Sequence, residues 1–214
     1  MEKLMATLMS ILSGAGVTLE IFFFTLAMSL PLGLFVALVR LSGVRFLAAL
    51  MDVYIWIMRG SPLMLQLLFV YFALPLVDIR LNAMTSALIA FTLNYAAYFA
   101  EIFRAGIQSI NRGQYEAAKT LGFTYWQTML YIIIPQMIRI TLPPISNETI
   151  NLVKDTSLIY ILAMNDLLRI ARTIVQRDFD MTAFFIAGAF YLALTAVLTA
   201  VFKRLEAYYG QYDA

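Results

Sequence analysis

The chain has 214 residues, 62% of them hydrophobic and 13% charged, with a mean hydropathy of +0.82 and a net charge of +2. A soluble domain carries about 25% charge, so this composition points to an integral membrane protein and leaves no electrostatic footprint for nucleic acid. Cysteine and histidine are absent, which excludes disulfides, thiol chemistry and the commonest general base and metal ligand.

The opening MEKLMATLMSILSGAG combines Lys3, a short apolar run and small residues, a pattern shared with signal peptides. The apolar pattern resumes at once, so the segment reads as a short amphipathic surface helix using Leu4, Met5, Leu8 and Leu12. A bilayer core of about 30 Å needs about 20 apolar helical residues. The first such span covers 17–39 and ends at Arg40 and Arg45. The second is interrupted: 54–58 is apolar, Arg59-Gly60-Ser61-Pro62 follows, and the main run is 63–77. Ser61 in a capping position with Pro62 as the first helical residue is a start signal, so an interfacial elbow precedes Arg59 and the true span begins at Ser61. Further spans cover 82–103, 136–153 and 182–202, the last followed by Lys203 and Arg204. The expected fold class is an all-α integral membrane protein with five transmembrane helices in one domain, 1–214.

Lys and Arg set the orientation. One side holds Arg40, Arg45, Arg59, Arg104, Arg112, Lys119, Lys203 and Arg204. The other holds Lys3 and Arg80, plus Lys154, Arg169, Arg172 and Arg177 in a longer segment that also carries four aspartates. The first set is expected in the cytoplasm, with the N-terminus outside and the C-terminus inside. Segment 108–127, between the third and fourth spans, is then cytoplasmic. It has room for two short helices with a turn at Gly122. Leu121, Phe123, Tyr125 and Trp126 give it an apolar surface, suited to a protein partner or to rest on the membrane interface.

Glu116-Ala117-Ala118, three residues, Gly122, nine residues, then Ile132-x-Ile134-Pro135 resembles the EAA signature of ABC importer permease subunits. Ile134 is the one departure, where leucine is usual. The stretches RGSPLMLQLLFVYFALP (59–75), AYFAEIFRAGIQSINRGQYEAAKTLG (97–122) and LPPISNETINLVKDTSL (142–158) are similar to the polar amino-acid branch of that family. The resemblance implies a coupling helix in which Glu116, Ala117, Ala118 and Gly122 dock on a cytoplasmic ATPase. It also implies a second permease subunit, two ATPases that bind ATP and Mg, and an extracytoplasmic amino-acid-binding protein, in a bacterial inner membrane. No glycine of the ten begins a phosphate-binding G-x4-G-K-[S/T] loop, so ATP chemistry is expected on another chain.

Polar residues at membrane depth are costly and face a cavity or a partner. Asn147, Glu148, Asn151, Lys154 and Asp155 share one helical face. They read either as a substrate pathway, with Glu148 meeting a cationic group and the asparagines a carboxylate, or as a structural seam in which Lys154 pairs with Asp155 or Glu148. Asn94, Tyr98 and Gln66 are the further pathway candidates, and Pro143-Pro144 can bend the helix. Arg59, Pro62, Lys154 and Asp155 are expected to be structural or gating. Glu101 and Arg104, three residues apart, read as an intrahelical ion pair. DLLRIARTIVQR (166–177) reads as an amphipathic helix on the outer surface, meeting a binding protein or acidic lipid. Glu148 and Glu20 tilt the expected substrate toward cationic amino acids. A membrane scaffold or sensor is the alternative function. An intramembrane enzyme using Glu148 and Asp155 has no supporting cluster.

Overall fold

The computed structural model describes residues 2–210. The Lys3 side chain used for orientation, and 211–214 of the single-domain expectation, lie outside the described residues. Helix α1, Glu2–Arg40, and helix α4, Ala83–Ser109, pack along each other as the centre of the fold. Helices α2, Arg45–Gly60, and α3, Leu63–Leu68, form the elbow, and α3 continues through wider and tighter turns to Val77. Helix α5, Arg112–Thr120, is short. A long rod then runs Tyr125–Leu162, made of α6, Tyr125–Thr128, a π-turn, α7, Ile134–Asp155, and a final 3₁₀ stretch. Helix α8, Leu167–Asp178, lies across its end, and α9, Thr182–Gly210, completes the chain. Among the described residues four helices are long and apolar enough to cross a membrane, and five if the segment Arg45–Gly60 with Leu63–Val77, bent by 104°, is counted as one span.

Lipid supplies no hydrophobic drive between helices, so close backbone approach through small residues has to hold them. Thr25, Ser29, Gly33 and Ala37 recur every fourth residue of α1 and are buried. Helix α4 buries Ser86, Ala87, Ala90, Ala96, Ala97 and Ala100. A Cβ on Gly33 would lie 2.7 Å from Phe99 Cβ and 3.0 Å from the Ala96 carbonyl oxygen.

Several boundaries differ from the sequence reading. No separate surface helix precedes the first span; α1 is continuous from Glu2. Gly14 stays helical there because it packs on α8, where a Cβ would meet the Asp166 carbonyl at 2.7 Å. Asp166 is buried and caps α8 by accepting from the Leu168 and Arg169 amides at 3.1 and 3.0 Å. Burial pushes its carboxyl above the usual carboxylate range, against the pull of those two donors. Ser61 does not cap α3: its hydroxyl turns back to donate to the Ile57 carbonyl of α2 at 2.8 Å, and Pro62 holds the capping position. The turn at Gly122 is present, with φ +79. The expected second short helix is instead the start of the long rod, fixed by a capping box between Thr124 and Gln127. The wider π-turn Met129–Ile133 precedes Pro135, and Pro143 and Pro144 lie inside α7 without ending it.

Gly33→Ala is expected to cost about 1–3 kcal/mol by overpacking the α1–α4 seam. Gly16, whose added Cβ would meet nothing within 4 Å, is the control. Thermal unfolding in detergent should show a lower midpoint for Gly33→Ala than for Gly16→Ala.

Candidate functional site

The elbow, α4 and α7 line an open cavity of about 860 Å³. The elbow contributes Arg59 through Met64; α4 contributes Asn94, Tyr95 and Tyr98; α7 contributes Glu148, Asn151, Lys154 and Asp155. Helical spacing of three and four residues brings the α7 groups to one face, as the sequence suggested. Asp155 accepts from the Tyr95 hydroxyl at 2.7 Å, so its hydrogen bond crosses to α4 rather than to Lys154. The Arg59 guanidinium lies over the Tyr98 ring, 5.1 Å from its centroid. Asn147 is exposed and outside this lining.

Two of the pathway candidates are engaged in holding the elbow. Pro62 has no N–H, so the Met58 carbonyl lacks its helical donor four residues on. Gln66 Nε2 and Asn94 Nδ2 both donate to that carbonyl at 2.9 Å, and Asn94 Nδ2 also donates to Gln66 Oε1 at 3.1 Å. Gln66 Nε2 donates again to the Ser61 hydroxyl at 2.9 Å. Helix α2 is pinned a second time where the Tyr54 hydroxyl donates to the Leu93 carbonyl at 2.6 Å. Asn94 both clasps the elbow and reaches the cavity wall, whereas Gln66 lies outside that wall.

At the far end of α4, Glu101 accepts from Arg104, the ion pair read from the sequence. It also accepts from Arg40 of α1, which in turn pairs with Asp52 of α2. This three-helix network was missed because its partners are distant in sequence. Arg40 marked only a span end, and Asp52 carried no signal.

The α5 surface is exposed where the sequence placed a docking motif. Glu116 and Ala117 face outward, but Ala118 is buried, so the outward small-residue face is one alanine wide. Leu121 is 75% exposed and Trp126 62%. Gly122 closes α5 with its amide donating to the Lys119 carbonyl at 3.0 Å, and the Phe123 amide reaches the Ala118 carbonyl at 3.0 Å. At the opposite end of the molecule, α8 buries Leu167, Ala171 and Ile174 and turns Arg172 outward.

Residues 29–209 match the family described as the binding-protein-dependent transport system inner membrane component. The chain belongs to this family. Among its relatives is the probable amino-acid ABC transporter permease protein YckA of Bacillus subtilis (strain 168), 41% identical over 203 residues, spanning 94% of this chain and 90% of that one. The glutamine transport system permease protein GlnP of Escherichia coli (strain K12) is 37% identical over 199 residues, 92% and 91% of the two chains. The fold agrees with that of the crystal structure of an amino acid ABC transporter with histidines, at a TM-score of 0.85 and 34% identity over 92% and 93%. As an inner membrane component with several apolar spans, the chain is a multi-pass membrane protein.

Gln66→Leu removes two donors from the elbow and is expected to lower stability by about 0.5–2 kcal/mol. A double-mutant cycle with Asn94→Leu, read by denaturation in detergent, should show more than additive loss, because either amide alone still serves the Met58 carbonyl and only the double variant leaves it without a donor.

Proposed function

We propose that this chain is the permease subunit of an ATP-driven importer for polar amino acids in the bacterial cytoplasmic (inner) membrane. The observation that carries the reading is the polar cavity between the elbow, α4 and α7, opening on a face where Arg59, Asn147 and Lys154 are exposed. Charged and amide groups at that depth are costly against lipid, so the face calls for a second permease subunit, identical or homologous. Glu148 is then placed for the substrate ammonium or a cationic side chain, and Asn151 for its carboxylate. Asn147 would complete the pathway from the shared face, with Tyr98 and Asn94 in the wall and Gln66 supporting Asn94.

The family match and the names of the relatives support the amino-acid assignment, and the glutamine relative keeps neutral substrates beside cationic ones. The N-terminus would lie outside and α5 in the cytoplasm, where Glu116, Ala117 and the Gly122 turn would dock on an ATPase holding ATP and Mg. Ala118 would support that surface from within. Two ATPases would sit beneath the permease pair, and a binding protein would approach the α8 end. ATP-driven closure of the ATPases would alternate access to the cavity. A scaffold or sensor that only recruits an ATPase is the second reading, resting on the same exposed α5 surface.

Copurification from native membranes followed by reconstitution separates the two. ATP-dependent uptake of radiolabelled L-glutamine or L-arginine is expected with the ATPase and binding protein present. A recovered ATPase with no uptake of any polar amino acid would favour the scaffold. Gly122→Val forces a branched residue to φ +79, a strain of about 1–3 kcal/mol. It should abolish most uptake through lost or uncoupled ATPase docking, while the folded chain persists on size exclusion. Wild-type uptake in that variant would remove the docking role.

A further inference from the structure

A second cavity, of about 430 Å³, adjoins the first and runs toward α5 between α4 and α7, past Thr141 to Ser109. The two cavities share three lining residues, one from each surrounding element: Arg59 of the elbow, Tyr98 of α4 and Glu148 of α7. Along α4 the first cavity ends at Tyr98 and the second begins there; along α7 the same division falls at Glu148. We propose that Arg59 and Tyr98 form a gate between the two cavities, closed when the guanidinium lies across the phenol ring.

The geometry suits a side-chain gate on a fixed frame. The backbone on either side of Arg59 is held: Met58 by the Gln66 and Asn94 amides, and Ser61 by its bonds to Ile57. Helix α2 cannot move away from α4 without breaking the Asn94–Met58 bond and the Tyr54–Leu93 contact. The Arg59 side chain is different. It is exposed and lies over the ring at 5.1 Å from the centroid, a non-directional attraction that a rotation about its long stem releases, and the Glu148 carboxylate already attracts it from α7. Glu148, in the same ring of residues, already attracts the guanidinium and can take it into a direct ion pair when it leaves Tyr98. The gate therefore exchanges a cation–π contact for an ion pair without exposing an uncompensated charge. Gly60 leaves the space beside Arg59 open, since a Cβ there would meet nothing within 4 Å.

This inference concerns the two cavities and does not depend on which solute is carried, so it is tested without transport. The chain has no native cysteine. Single cysteines are placed at Leu158, in the first cavity, and at Ser109, at the mouth of the second. A membrane-impermeant thiosulfonate is applied to sealed native-membrane vesicles on the α5 side only. In the otherwise unchanged chain, Ser109→Cys should react quickly and Leu158→Cys slowly. Tyr98→Leu and Arg59→Gln should each raise the Leu158→Cys rate about tenfold, leaving the Ser109→Cys rate unchanged. Tyr98→Phe keeps the ring face and should keep the slow rate. Equal Leu158→Cys rates in the parent, Tyr98→Leu and Arg59→Gln would overturn the gate. So would a matching rise in Tyr98→Phe, or a rise at both cysteine positions together. Failure of amino-acid uptake would leave these labelling rates as they are, so the two readings fail separately.

Discussion

A helix that breaks leaves carbonyl oxygens without their ladder donors, and a part-buried one must find donors elsewhere in the fold. Pro62 creates that demand by leaving Met58 without a helical partner, and the fold around the cavity follows from how the demand is met. Gln66 reaches back from α3, and Asn94 reaches across from α4, to the same oxygen. The elbow is thereby tied to the central helix, and the 104° break becomes a fixed corner. That corner turns the Arg59 side chain toward Tyr98 and opens the polar space facing Glu148 and Asn151. An apolar residue at position 66 would leave the corner chemically unfinished.

The corner needs a rigid wall to attach to, and the α1–α4 seam supplies it. Small side chains at four-residue intervals bring the two backbones together, and Gly33 marks the tightest point. At one end of the seam Arg40 gathers Asp52 and Glu101, joining three helices through charges that would be costly if left alone. At the other end Gly14 receives the capped start of α8. Tyr95 then connects α4 to α7 through Asp155. Most polar groups lining the cavity thus have a structural partner as well as a place in the wall.

Much of the fold was legible in the sequence because long charge-free runs separated by arginines have few meanings in a chain this apolar. A break could be read from Arg59-Gly60-Ser61-Pro62, but it falls at Ser61-Pro62 and not before Arg59, because α2 stays helical through Gly60; the α5 turn could be read from Gly122. Helix ends were less legible. The start of α1 and the first turns of the long rod leave the apolar run yet stay helical, because packing on α8 and the Thr124 capping box decide those ends. The Glu101–Arg104 pair was visible at a spacing of three, whereas Arg40 lies 61 residues from Glu101 and becomes its partner only through the seam. Gln66 and Asn94 stood out as amides among apolar residues. Their common partner did not, since a main-chain oxygen leaves no mark in a sequence.

The length of α1 has a mechanical consequence. At 39 residues it is about 58 Å long, nearly twice the thickness of a bilayer core of about 30 Å. It is fastened near its start to α8 and at its end to the Arg40 charge network. The fastenings at Gly14 and Arg40 are about 39 Å apart, so a rigid tilt of about 5° around one displaces the other by about 3 Å. A small rotation on the α5 face of the membrane therefore arrives at the opposite face as a shift the size of a side chain, carried by one unbroken helix rather than by a relay of local rearrangements.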